Sequence, residues 1–465
     1  AHQPPKQMLL TGLSLAFATI PEELPIIITM VLSLGAFRLS KNKAVAKRLN
    51  GVESLGSVTV IATDKTGTLT ENRMEVVCYE PEKAKNRLLE IGLFNNDAVL
   101  DGDNFNGDAV DIALLRSACQ SGLDVNAERI ARPIFNEFTF DNNRKRMATI
   151  RLKDGQPWVA VKGSPETVLS QCTLVRDGDS VDLLTDTARQ SILERVSELA
   201  ADGLRVLAFA ERNLPQPDLS QEKVELDLTF TGLVGFQDPP RPVVRDAIAS
   251  CQLAGVRVIM ITGDHPLTAK AIGRQVGLDG DDSVVTGSEL DQLSDDQLKV
   301  VVKRSSIFAR TTPEHKLRIV QALQALGERV AVTGDGVNDA PALSAADIGV
   351  AMGETGTDVA REAGDMVLMD DNFTTIVAAV KEGRLTYENL KKGVRYYLTC
   401  KLALVMINLL PTLLLVPVPF APVQIILMEL FMDLMAAASF VTEKPEADLL
   451  KQKPRDPRAK FMDEG

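Results

Sequence analysis

A chain of 465 residues is too long for one compact core and leaves room for about three folded units. Its formal charge of -12 excludes a nucleic-acid partner held by a general basic surface. Five scattered cysteines with no Cys-x-x-Cys pair, and only three histidines, exclude a disulfide framework and a histidine zinc site; the thiols read as reduced and cytosolic.

In chain order, the first element is apolar from Met8 to Ala36 apart from a central word, Pro21-Glu22-Glu23-Leu24-Pro25. About 20 apolar residues span a bilayer, so two carboxylates are expected at mid-membrane depth, beside prolines that free backbone carbonyls. The alternative is a kinked, buried helix of a soluble protein. The stretch is too long for a cleavable signal, and the chain starts on Ala1 rather than Met, so it is expected to begin inside a longer protein. Arg38, Lys41, Lys43, Lys47 and Arg48 follow, which places the next segment in the cytoplasm.

Val58 to Ala62 reads as a buried strand, with Asp64 just past its carboxyl end and Lys65, Thr66, Gly67 and Thr68 directly after. Open α/β sheets carry out their chemistry at that edge. From Glu75 to about Leu228 mixed strands, helices and polar turns suggest a domain inserted between two halves of another. The opening pattern then returns twice. Val256 to Ile261 leads into Thr262-Gly263-Asp264, and Val330 to Val332 into Thr333-Gly334-Asp335-Gly336. Helical stretches at Pro242 to Leu253 and His315 to Leu326 make this a βαβ alternation with a parallel sheet. Tyr396 to Leu415 and Val423 to Val441 form a second and third expected span, flanked by Lys391, Lys392 and Arg395 before and Lys444, Lys451, Lys453 and Arg455 after.

Three aspartates at strand ends need a partner, and a divalent cation shared with phosphate oxygens is the least costly one. Magnesium fits, because one or two carboxylates such as Asp64 and Asp335 suffice alongside water and substrate oxygens. An aspartate flanked by Lys and Thr can also attack phosphorus to form an acyl phosphate.

The words Asp64 to Thr70 (DKTGTLT), Thr262-Gly263-Asp264 and Thr333 to Pro341 (TGDGVNDAP), in this order, resemble the signature of P-type ATPases, within the haloacid-dehalogenase superfamily. The likeness extends to Pro21 to Pro25, Lys162 to Glu166 (KGSPE), Asp238 to Arg241 (DPPR) and the final hairpin. It implies an α/β fold: a Rossmann-type parallel-sheet phosphorylation domain, an inserted α+β nucleotide-binding domain and three transmembrane helices. The expected boundaries are 1–40 for the first membrane helix, 41–75 and 230–385 for the phosphorylation domain, 76–229 for the nucleotide domain, 386–443 for the membrane hairpin and 444–465 for a cytoplasmic tail.

By the same resemblance Asp64, beside Lys65, accepts the phosphoryl group of ATP, and Asp64, the Thr66 carbonyl and Asp335 hold magnesium. Thr66 stands where related soluble phosphatases commonly carry a second Asp as general acid and base; Thr shuttles protons poorly near neutral pH, so the acyl phosphate is expected to persist. Thr262 and Gly263, in the word that ends on Asp264, contact the phosphoryl group. Lys316 offsets transition-state charge, and Asn338 and Asp339 order the site. In the inserted domain Phe140 stacks on adenine, while Asp111, Lys145, Lys162, Gly163 and Arg205 line the pocket. Asn142 stands where calcium pumps of the sarcoplasmic-reticulum type have an arginine.

The ionisable residues of the spans are Glu22, Glu23, Lys401, Glu429 and Asp433, and such residues in hydrocarbon are functional by default. An ammonium among carboxylates repels calcium, and Lys401 with Glu429 resembles the lysine and glutamate of the gastric proton/potassium pump. The expectation is therefore a proton-moving pump in which Lys401 pairs with Glu429 and helps expel a proton from Glu22, Glu23 or Asp433. A calcium pump is the alternative, and so is a Lys401 that only snorkels to the interface. Soluble-phosphatase and nucleotide-binding, non-transporting readings stand beside these. The resemblance also implies an actuator domain with a Thr-Gly-Glu loop; no such word occurs here, so a fragment is expected. Its setting is a lipid bilayer, as a multi-pass protein of a prokaryotic plasma membrane with its catalytic domains cytoplasmic.

Overall fold

The computed structural model describes residues 9, 12, 13 and 24–455, except 103, 142, 154, 179, 216–219, 279–283, 415, 417–418 and 446–453; the side chains of 50, 422, 429–430 and 432–438 are also outside the description. The chain divides into two compact units. One comprises Ala1–Asp64, Val243–Ile261 and Gly277–Gly465, the other Lys65–Pro242 and Thr262–Val276.

The first unit is built on an eight-stranded sheet. Across it the strands run Ala44–Ala46, Met366–Leu368, Ile348–Met352, Val330–Gly334, Val60–Thr63, Arg257–Ile261, Ile307–Ala309 and Val284–Thr286. Every pairing is parallel except that of the Ala44–Ala46 edge strand. The central strands are short runs of Val, Ile, Ala and Met buried on both faces, as a sheet covered by helices on each side requires. Val60, Ala62, Ile259, Ile261, Phe308, Ile319, Val320, Leu323, Val330 and Val332 form one core. Because Val60 pairs with both Val330 and Arg257, the three central strands end level with one another. Asp64 and Asp335 therefore leave the sheet at the same edge, from adjacent strands.

Helix Pro313–Ala325 starts with Pro in its first turn and with Thr312 as N-cap, whose hydroxyl accepts from the His315 N–H at 3.4 Å. This cap fixes the turn that carries Lys316. Further along, Phe373–Leu413 is one continuous helix of 41 residues. The expected second span began at Tyr396, yet the helix begins at Phe373. Its first half is amphipathic, burying Phe373, Ile376, Ala379, Val380 and Gly383 against the rest of the unit. Beyond that, Leu390, Val394 and Tyr397 pack on Ile27 and Val31 of helix Leu24–Lys41.

Of the three expected membrane helices, two among the described residues, Leu24–Lys41 and Phe373–Leu413, are long and apolar enough to cross a bilayer. Pro422–Val441 is a helix of 20 residues, and half of its side chains lie outside the description. Residues 14–23 of the first expected span, with the Pro21-Glu22-Glu23 half of its central word, lie outside the described residues as well.

The second unit is built on another sheet. Its path runs Ser180–Leu183, Cys172–Asp177, Leu228–Gln237, Arg205–Asn213, Gln156–Gly163, Arg146–Lys153 and Ile134–Asp141, with Glu75–Glu80 also paired to Leu228–Gln237. All pairings are antiparallel except that of Leu228–Gln237 with Cys172–Asp177. One core holds Leu88, Ile91, Phe94, Leu114, Leu115, Trp158 and Phe209, and a second holds Ala148, Ile150, Val159, Val161 and Phe230. Period-two alternation along Gln156–Gly163 feeds both cores, Trp158 and Ala160 on one face and Val159 and Val161 on the other, while Ala148 and Ile150 of Arg146–Lys153 join the second.

The long helix meets helix Leu49–Leu55 where Gly56 and Gly383 nearly touch: a Cβ on Gly383 would lie 2.6 Å from the Gly56 nitrogen and 2.7 Å from Leu55 Cβ. Gly383→Ala is expected to lose about 1–3 kcal/mol despite its better helix propensity. Gly393→Ala, in the same helix with nothing nearer than 3.6 Å, is expected to be neutral or stabilising by up to about 1 kcal/mol. Thermal unfolding of the two variants side by side checks the contrast.

Candidate active site

At the carboxyl edge of the parallel sheet, the Asp64 N–H donates to Thr333 Oγ1 at 3.2 Å, and the Thr333 hydroxyl donates to Thr63 Oγ1 at 3.1 Å. These contacts tie the ends of two adjacent strands together. Lys316 reaches into the same place. Its buried ammonium donates to the Thr333 carbonyl at 2.9 Å and to Asp339 Oδ1 at 2.8 Å, and stands 3.9 Å from Asp64 Oδ2. Asp339 Oδ2 in turn accepts from the Asp335 and Gly336 N–H groups at 3.0 and 3.2 Å. Only glycine fits at 334, since a Cβ there would sit 2.5 Å from Asp339 Cβ.

Burial pushes the Asp339 carboxyl up, but the Lys316 ammonium and the two N–H groups outweigh it and hold the group below the usual carboxylate range. Asp335 goes the other way: burial and then the Asp339 charge push its carboxyl up. A carboxylate so placed beside Asp64 is one that a hard cation would stabilise. Asn338 is exposed on the turn Val337–Asp339.

Lys65, Thr66, Thr262, Gly263 and Asp264 belong to the second unit. There Lys65 and Asp264 form an ion pair, and the Asp264 N–H donates to Thr262 Oγ1 at 3.2 Å. Thr66 is extended, with φ -71° and ψ 129°, and Gly67 turns the chain with φ 76°. Two residues without an assigned role hold this turn. Asp238 accepts from the Thr70 hydroxyl at 2.5 Å and the Arg73 N–H at 3.1 Å, and Arg241 donates to the Gly67 and Thr70 carbonyls at 2.9 and 3.2 Å. The DPPR word was visible in the sequence; that it closes on residues 67–73 was not.

In the same unit, Lys162 and Gly163 end the strand Gln156–Gly163, where Gly163 pairs with Arg146 on one side and Ala208 on the other. Phe140, Lys145, Gly163 and Arg205 thus share one end of the sheet, with Phe140, Lys145 and Arg205 exposed. The Ser164 N–H donates to the Lys145 carbonyl at 2.9 Å, and a Cβ on Gly163 would lie 2.6 Å from that carbonyl oxygen. Lys162 is buried and paired. Its ammonium bonds Asp111 and donates to the Asn95 carbonyl at 2.7 Å, and Asp111 also accepts from the Asp97 N–H at 3.0 Å. Burial lowers the Lys162 pKa, and Asp111 opposes the shift. Asn142 lies outside the described residues.

Of the membrane set, Lys401 is buried on helix Phe373–Leu413 with its ammonium 5.5 Å from the Tyr397 ring centre. Glu22 and Glu23 lie outside the described residues. Glu429 and Asp433 fall within helix Pro422–Val441 with side chains outside the description.

Family profiles match three parts of the chain: the cytoplasmic domain N of P-type ATPases over residues 84–243, a haloacid dehalogenase-like hydrolase over 316–380, and the C-terminus of cation-transporting ATPases over 417–465. The chain belongs to the P-type cation ATPases. Calcium-transporting ATPase 1 of Bacillus cereus is 39% identical over 463 residues, a match covering 97% of this chain and 52% of that protein. The calcium-transporting ATPase of Bacillus subtilis is 39% identical over 487 residues, covering 97% and 55%. The cation-transporting ATPase pma1 of Synechocystis sp. is 37% identical over 497 residues, covering 97% and 54%. The chain therefore spans about half the length of these curated relatives. The relatives named for an ion are calcium pumps, whereas the sequence reading favoured a proton pump on the strength of Lys401.

Among the described residues no group of three or more His, Cys, Asp and Glu side chains converges as a metal site. The buried Lys162–Asp111 pair gives a direct test of the nucleotide domain. Lys162→Met leaves Asp111 buried without its cation and is expected to cost about 3–5 kcal/mol. Lys162→Met combined with Asp111→Leu should cost less than the sum of the singles, with a coupling energy of about 1–3 kcal/mol in urea unfolding.

Proposed function

We propose that this chain carries the ATP-driven core of a calcium-translocating P-type ATPase, working through a phosphorylated Asp64. The observation that carries the catalytic part is the placing of Asp64 at the sheet edge with Lys316 3.9 Å away and Lys316 itself held by Asp339 and Thr333. Asp64 Oδ attacks the γ-phosphorus of ATP; an O–P bond forms to the carboxylate as the bond to the ADP oxygen breaks. The Lys316 ammonium offsets charge on the phosphoryl oxygens, and Thr262 and Gly263 are assigned to the same oxygens. Asp64, Asp335 and the Thr66 carbonyl fit a bound magnesium by their hard oxygen donors, and when bound the ion supplies neutralisation of phosphate charge. Thr66 provides no efficient proton shuttle, which supports a phosphoenzyme that lasts long enough to drive transport.

Phe140, Lys145, Gly163 and Arg205, gathered at one sheet end, support the assignment of the nucleotide pocket to the second unit. Helices Leu24–Lys41 and Phe373–Leu413 of the first unit support a membrane setting, with the parallel-sheet part of that unit and the second unit assigned to the cytoplasm. Calcium as the ion rests on the names of the bacterial and yeast relatives. One observation favours the proton reading instead: Lys401 is buried within the long helix, where an ammonium disfavours a calcium site.

Incubation with radiolabelled ATP and magnesium is expected to give a hydroxylamine-labile phosphoprotein that Asp64→Asn abolishes and Lys316→Ala slows by about a hundredfold or more. Label that persists on Asp64→Asn sinks the mechanism. For the ion, radiocalcium uptake and ATPase activity of the full-length pump are measured in membranes against calcium and pH. Micromolar calcium activation that survives Lys401→Ser eliminates the proton reading; acid-activated turnover indifferent to calcium eliminates the calcium reading.

A further inference from the structure

The segment leaving strand Ile348–Met352 turns through Gly353, Glu354, Thr355 and Gly356 before helix Asp358–Ala363. One buried carboxylate holds that turn. Asp371 Oδ1 accepts from the Gly353 and Glu354 N–H groups at 2.7 and 3.1 Å, and its Oδ2 accepts from the Thr355 N–H and hydroxyl, both at 2.7 Å. Arg361 closes the turn from the other side by donating to the Gly353 and Gly356 carbonyls at 3.0 and 2.6 Å. Asp371 itself sits at φ 46°, a left-handed conformation that Asp and Asn accept better than most residues.

The next residue along the turn makes the link to the catalytic edge. The Thr357 N–H donates to the Asp335 carbonyl oxygen at 2.8 Å. On the other side of the same residue, the Asp335 N–H is held by Asp339 Oδ2 at 3.0 Å. Both peptide groups flanking the Asp335 Cα are therefore pinned, one through the Lys316–Asp339 network and one through the Asp371 turn. A carboxylate that must meet a cation in octahedral geometry gains affinity when its backbone is fixed in this way.

We propose that Asp371 is a positioning residue for the divalent-cation site, acting through the Gly353–Thr357 turn on the Asp335 peptide. The proposal rests on the reading of Asp335 as a cation ligand. Asp371 touches neither the cation nor the phosphoryl group; it sets the main chain from which the ligand projects. Its nearness in sequence to the long helix, whose N-cap is Asn372, is a separate fact on which the proposal does not depend.

The probe is Mn2+, titrated into the purified whole chain and followed by loss of the free-ion electron paramagnetic resonance signal. Asp335→Asn serves as the reference for a lost ligand. Asp371→Ala is expected to raise half-saturation at least about tenfold, in line with the loss of an outer-sphere partner, and Asp371→Asn, which keeps one acceptor oxygen and the left-handed backbone, to fall between. Affinity for trinitrophenyl-ATP should not change.

A second pair of variants decides the matter if Asp371→Ala does not fold. Thr357 has φ -72°, which proline accepts, so Thr357→Pro deletes the N–H bond to Asp335 together with the hydroxyl cap of helix Asp358–Ala363. Thr357→Ala deletes the cap alone. Weaker Mn2+ binding by Thr357→Pro than by Thr357→Ala supports the proposal. Equal binding by that pair, or wild-type half-saturation in a folded Asp371→Ala, overturns it, as does an Asp335→Asn that binds Mn2+ like wild type. Should the wild type bind Mn2+ with the predicted differences yet form no acyl phosphate, the phosphorylation reading falls and the positioning role stands.

Discussion

The buried ion pair of Lys316 with Asp339 is the contact on which the catalytic edge depends. A lysine at the first turn of a capped helix meets a carboxylate folded over Gly334, and each uses its remaining valence on the backbone: Lys316 on the Thr333 carbonyl, Asp339 on the Asp335 and Gly336 N–H groups. Neither charge is cheap to bury alone, and together they order the strand end next to Asp64. At Asp335 burial and the Asp339 charge outweigh the attraction of the same Lys316. The electrostatic asymmetry between Asp335, pushed up, and Asp339, held down, follows from which of them Lys316 touches.

A comparable economy appears in the second unit. Asp238 and Arg241 come from a segment more than 160 residues downstream of the turn they hold, and they secure it through its carbonyls, one N–H and one hydroxyl. The turn that follows Lys65 is thus shaped by residues far from it in the sequence. Polar side chains that saturate backbone groups in irregular segments recur here, with Asp371 as another instance, because a loop with no ladder must find its partners elsewhere.

How much of this was legible in the sequence differs by type of evidence. Strands ending in Asp announce themselves, since a run such as Val330 to Val332 followed by Thr-Gly-Asp-Gly combines a buried strand with a tight turn. The parallel sheet and the separate mixed sheet follow from that periodicity. Contacts made across long separations were not legible: nothing near Asp371 in the sequence points to Thr357, and nothing near Asp238 points to Thr70. The start of the long helix was missed because residues 373–395 are amphipathic and charged, so hydropathy marks only the more apolar half. Lys401 illustrates a different difficulty. A single ammonium steered the ion assignment toward protons, while the relatives named for an ion transport calcium. One ammonium on a span does not by itself fix the charge balance of an ion site.

The continuous helix Phe373–Leu413 has a mechanical meaning. At 41 residues it is about 60 Å long, with Pro411 as the one proline inside it, near the far end. No loop interrupts it between the turn bearing Lys401 and the N-cap at Asn372, so a displacement at one end passes to the other through an unbroken ladder of main-chain hydrogen bonds, as along a drive shaft.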